Sequence, residues 1–113
     1  MSLKTKLTRV NQNYLTKYEN ADMIPNPGLI SDILTDVITR GAAVVDKRKL
    51  ILALGAKQDR PSVWGRLLDA WEDLDEARSS LRAVELWGVT LVLAKEDDLG
   101  KQPAFASVAD WAA

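Results

Sequence analysis

Four carboxylates, Asp69, Glu72, Asp73 and Glu76, recur at i, i+3, i+4 and i+7. On a helix that spacing sends all four side chains to one side, where hard oxygens could hold Mg²⁺ or Mn²⁺ for phosphate-ester chemistry. Sites of that kind draw further acids from a facing helix. Glu85 and Glu96 are the nearby candidates, and they do not make a second pair. A charge run on a helix ordinarily means a solvated face, so the expectation is an acidic surface with no metal and no cofactor. A metal-dependent phosphohydrolase built on these four acids is carried as an alternative.

Other chemistries are narrowed by composition. The chain has no histidine and no cysteine. That removes the usual general acid–base side chain at neutral pH, imidazole and thiolate metal ligands, and any disulfide framework. Serines and threonines are present, but no nucleophile–base set can be assembled from the sequence, and the single glycines do not form a phosphate-binding loop. No catalytic residue is assigned.

A second alternative is a small DNA-binding regulator, with a helix-turn-helix made from Val44–Leu54 and Val63–Trp71. Such units join their helices through roughly three to four residues; the connector here is longer and contains Pro61. The would-be reading helix carries Trp64, Arg66 and Asp69 and then turns acidic, which repels phosphate. Lys47, Arg48 and Lys49 are too few to form a nucleic-acid patch, and the net charge of −1 does not suggest a polyanion binder. The charge is uneven, however. Residues 1–60 hold ten Lys/Arg against six Asp/Glu, and residues 61–113 hold five against ten, giving halves of +4 and −5. Such halves suit each other or a second copy.

Four tryptophans remain as candidate binding groups. Trp71 and Trp87 read as core. Trp64, on the flank of its helical stripe, and Phe105, Val108 and Trp111, spaced helically near the end of the chain, are the candidate interface residues.

The elements that must position these groups are read from periodicity. Leu3, Leu7, Val10, Tyr14 and Tyr18 predict an amphipathic helix within residues 1–23. Asn26 and Pro27 then fit an N-cap and first helical position, with Leu29, Ile30, Ile33, Leu34, Val37 and Ile38 on one face, and Gly41 fits either a C-terminal stop or a bend in one longer helix. A helical pattern resumes over Ala42–Leu54, interrupted by Asp46 to Lys49. Pro61 opens another, capped by Asp59 or Ser62, whose stripe runs Val63, Leu67, Ala70, Trp71, Leu74, Ala77 and Leu81. Ser79-Ser80 is its weakest point.

Leu81–Lys95 (LRAVELWGVTLVLAK) has Glu85 as the one formal charge between its terminal Arg82 and Lys95. It leaves no face for water and is too short for a bilayer span, which takes about 20 apolar residues. It is read as a buried helix at the centre of the fold. The rival reading makes Val89–Leu93 a buried strand, and the lack of a visible partner strand argues against it.

The expectation is therefore a single all-α domain over residues 1–113, a bundle of five to six helices around that buried hydrophobic helix. The apolar fraction of 47% in 113 residues is ample for one core. The function expected is a non-enzymatic helical interaction or assembly module, homo-oligomeric or bound to another protein, without nucleic acid or membrane. No apolar leader follows the first basic residues, so the expected compartment is the cytoplasm.

Overall fold

Asn26 and Pro27 open a helix in the manner their side chains allow. In the computed structural model, which describes residues 24–113, α1 spans Pro27–Arg40, and the Asn26 side chain accepts the Leu29 N–H at 3.1 Å. Its buried stripe is Ile30, Ile33, Leu34 and Val37. Gly41 ends it in the left-handed region and donates its N–H to the Val37 carbonyl at 2.9 Å. The amphipathic helix expected in residues 1–23 lies outside the described residues.

Beyond Gly41 the expected helix over Ala42–Leu54 is corrected. Ala42–Asp46 is a strand, β1, and only Lys47–Ala53 is helical, as α2. The adjacent β-branched pair Val44-Val45 favours the extended form. Asp46 serves both elements: it ends the strand, and its carboxylate caps α2 by accepting the Lys49 N–H at 2.9 Å. The charged interruption in the apolar pattern is thus a boundary.

α3 spans Pro61–Glu72 and buries Val63, Trp64, Leu67, Leu68 and Trp71. It starts with Pro61 after an extended Arg60, and no side chain caps it. The helix stops at Glu72, well before Leu81, and the Ser79-Ser80 weak point falls in a 3₁₀ turn, Arg78–Ser80.

The next elements overturn the all-α bundle. Leu81–Lys95 is a β-hairpin of β2 (Leu81–Leu86) and β3 (Thr90–Lys95). Its two halves pair with each other, and β3 also pairs with β1. The want of a partner was the argument against a strand, yet one partner lies inside the same stretch and the other in a segment with a helical pattern. A two-residue β4 (Ala106–Ser107) pairs with β2, and α4 (Val108–Trp111) closes the described chain. The described residues therefore form four α-helices and a four-stranded antiparallel sheet of order β1-β3-β2-β4.

The sheet explains why β3 is so apolar. One face packs Ala43, Leu81, Ala83, Leu91 and Leu93 against α1, α2, α3 and Val108 in the main core. On the other face Val92, Ala94 and Phe105 form a second, smaller cluster, with Ala42 and Val84 packed against it. Leu91 to Ala94 are all buried, because β3 is central and covered on both sides. Such a strand reads as an unbroken apolar run, like a buried helix. Cover on the outer face is partial: it protects the Ala94 end and leaves Val44 and Leu86, nearer the hairpin tip, exposed. Among the described residues no helix is long and apolar enough to cross a membrane.

Candidate functional site

The four acids do not share one helix face. Asp69 and Glu72 lie on α3, and Glu72 is its last residue, with Asp73 at the C-cap and Glu76 in the irregular segment beyond the following turn. Arg78 Nη1 reaches back to Glu72 at 2.8 Å and Asp69 at 3.3 Å. The hydrogen bond that Arg78 donates to Glu72, aided by the one to Asp69, outweighs desolvation and holds the guanidinium pKa above its ordinary value. Glu76 is paired with Lys95 at 3.1 Å, Glu85 with Lys47 at 2.9 Å, and Glu96 stands 3.9 Å from Arg82. Among the described residues no group of three or more acids converges as a cation site. The helix-turn-helix carried as an alternative does not form within its bounds, since β1 takes Val44 to Asp46 from the start of its first helix.

The candidate interface residues pack against the rest of the chain, Trp111 only in part. Trp64 is buried, donates Nε1–H to Asp59 at 2.6 Å, and meets Trp111 edge-on with centroids 5.1 Å apart. Phe105 and Val108 are buried, and Trp111 is half-buried against the main core. Trp71 is core, as expected. Trp87 is not: it is 87% exposed at the tip of the β2–β3 hairpin. There φ is +55° at Trp87 and +72° at Gly88, and the Val89 N–H closes the turn on the Leu86 carbonyl at 3.3 Å. Glycine takes such a conformation freely, whereas a bulky side chain is strained by it, by about 1–2 kcal/mol. Trp87→Asn, which tolerates the turn, is expected to raise stability by about 1 kcal/mol in denaturant unfolding.

Beneath the tip lies a charged clasp. Lys47, the first residue of α2, donates its backbone N–H to the Val89 carbonyl at 2.8 Å. Its ammonium is 2.8 Å from Asp59 and 2.9 Å from Glu85, so one side chain joins α2, the connector before α3 and β2. A neighbouring cavity of about 490 Å³ is lined by Arg48, Ile51, Lys57, Gln58 and Val89 among others. Burial pushes the Lys47 pKa down, but the hydrogen bonds and charges of Asp59 and Glu85 prevail and raise it above 10.5. The Lys47 hydrogen bond holds Asp59 below 3.8, against desolvation and with help from Trp64. Lys47 is therefore a fixed ammonium at neutral pH, a tie between elements rather than a nucleophile or base.

The stability arising from this clasp has the pH dependence those directions require. Asp59 contributes fully above pH 3.8, and its share is lost as pH falls through its lower folded pKa. Lys47 contributes fully below pH 10.5, and its share is lost as pH rises through its higher folded pKa. Both carboxylates are partly exposed, so screening limits the effect. Lys47→Met is expected to lower stability by about 1 kcal/mol near neutrality. In urea titrations at several pH values, the gap from wild type should narrow at both extremes.

Trp87, Val44 and Lys47 carry the features that sequence reasoning missed. The available signal is Trp87-Gly88 between two runs of strand-forming residues, a hairpin signature once the stretch is divided there. Comparison with family models, with curated proteins and with solved structures found no match.

Proposed function

We propose that this chain is a non-enzymatic assembly module of the cytoplasm whose copies associate with one another. One observation carries the reading: large apolar side chains are kept in water on the outer sheet face and hairpin tip. Val44 is 70% exposed, Val89 57%, Trp87 87%, and Leu86 is also exposed. A surface of this kind, carried on β1, on β2 and on the turn after β2, with β3 between the two strands, favours binding another protein surface. The strain at Trp87 supports the same view, because it weakens the fold and adds nothing to the core. The acids that suggested hydrolysis are largely engaged in ion pairs with Arg78 and Lys95.

The test is light scattering coupled to size exclusion at micromolar concentration. A mass at a whole multiple of 12.5 kDa, two or higher, supports the reading. A monomer across the accessible concentration range refutes it.

A further inference from the structure

The free edge of the sheet has a defined set of unused backbone groups. β1 pairs with β3 in a register that sets Asp46 opposite Thr90 and Val44 opposite Val92. The Lys47 N–H continues that ladder to the Val89 carbonyl. In an antiparallel pair the bonded positions alternate, so Ala43 and Val45 face β3, while Ala42, Val44 and Asp46 face away from it. No neighbouring strand lies on that side among the described residues, since β1 ends the sheet order. Nor is any hydrogen bond from the backbone of Ala42 or Val44 to another described element present.

Among the described residues this edge also lacks the usual protection. Proline, lysine or a bulge commonly blunts an exposed edge strand. Here the sequence Ala-Ala-Val-Val is followed only by Asp46, and Val44 is 70% exposed.

We propose that β1 pairs with β1 of a second copy, antiparallel across a two-fold axis at Val44, to make one eight-stranded sheet. This inference rests on the reading of the chain as a self-associating module and names the surface it uses. The register is fixed by overlap. Only a two-fold centred on Val44 matches all five strand residues, placing Ala42 of each copy opposite Asp46 of the other. The Val44 N–H and carbonyl then bond those of Val44 in the second copy, and each Asp46 N–H meets an Ala42 carbonyl. On the outer face Val84, Val92 and Val44 already lie in one row across β2, β3 and β1. The axis joins two such rows into a stripe of six valines and covers the exposed Val44 with its own counterpart. A two-fold arrangement closes at two copies, whereas head-to-tail packing need not close. Self-complementarity is what favours a second copy over an unrelated extended peptide.

The chain has no cysteine, so Val44→Cys introduces a single thiol. At a bonded antiparallel pair the Cα atoms are about 5.5 Å apart, within disulfide reach. Mild oxidation of V44C is expected to give a covalent dimer, while Leu52→Cys, also exposed but on α2, stays mainly single. Val44→Lys and Val44→Pro are expected to weaken the dimer by at least about tenfold in light scattering, through lost backbone bonds and apolar contact. Proline there removes an N–H that β3 does not use; should V44P fail to fold, V44K decides.

If the wild-type chain associates but V44K does not weaken it and V44C cross-links no faster than L52C, this inference falls and the assembly reading stands. A wild-type monomer overturns both. A monomeric V44C variant whose thiol also resists alkylation overturns both and shows the edge covered from within the same chain.

Discussion

Replacing Trp71 with alanine is expected to lower stability by about 3–5 kcal/mol, the range for deleting a large buried aromatic side chain. Trp71 is fully buried on α3, and its Nε1 lies 3.0 Å from both the Ala77 carbonyl and the Ser80 hydroxyl. It therefore fixes the end of α3 to the turn that delivers the chain into β2. Truncation opens a cavity in the main core and releases that turn together. Trp71→Phe separates the two contributions. The Ala77 carbonyl keeps the Ser80 backbone N–H at 2.9 Å and the Ser80 hydroxyl at 2.6 Å, so phenylalanine strands no acceptor there. Its effect should be only about 1–2 kcal/mol, mostly lost volume and one hydrogen bond. Urea midpoints with an unchanged slope would check both values; equal losses for the two variants would show that the indole N–H, not the ring, dominates.

Gly100→Ala is expected to be the next most damaging single change, at about 3 kcal/mol, the upper part of the range for overpacking. A Cβ at Gly100 would stand 2.6 Å from the Lys95 carbonyl oxygen, 3.0 Å from its carbon and 3.1 Å from Arg82 Cβ. The nearest obstacle is backbone at the end of β3, which cannot swing aside as a side chain can. The 3₁₀ turn Leu99–Lys101 must come that close because it leads into Phe105, whose ring covers Val92 and Ala94. Arg82 holds the same cover from below by donating to the Phe105 carbonyl. Lifting the turn should expose the small outer cluster, so dye binding to apolar surface should rise along with the fall in thermal midpoint. A stable variant with no added dye binding would mean that the turn can move without disturbing Phe105.

The legible and illegible parts of this chain divide along the range of the forces involved. Asn26, Pro27 and the stripe from Ile30 to Val37 determined the start of α1 and the face it buries, because capping and proline geometry act within a few residues; Gly41 fitted a stop or a bend, and the strand after it made it a stop. The start of α3 at Pro61 was settled in the same local way, but its end was not: the apolar stripe reads on to Leu81, whereas the helix stops at Glu72, before the Ser79-Ser80 weak point. The absence of histidine and cysteine chemistry was legible too, since no folding can supply it.

What the tertiary structure decided is how the apolar stretch from Leu81 to Lys95 is used. A strand covered on both faces shows no alternation, so Leu91 to Ala94 carried no sign of period two, and its partners could be recognised only once β1 and β2 were set beside it. The same pairing moved Trp87 from an assumed core position to an open turn. It also turned Val44 toward water at a free edge, while the early end of α3 divided the acids of 69–76 between a helix end and the irregular segment after it. Local chemistry chose where α1 and α3 begin; long-range pairing chose which side chains remained outside to meet a partner.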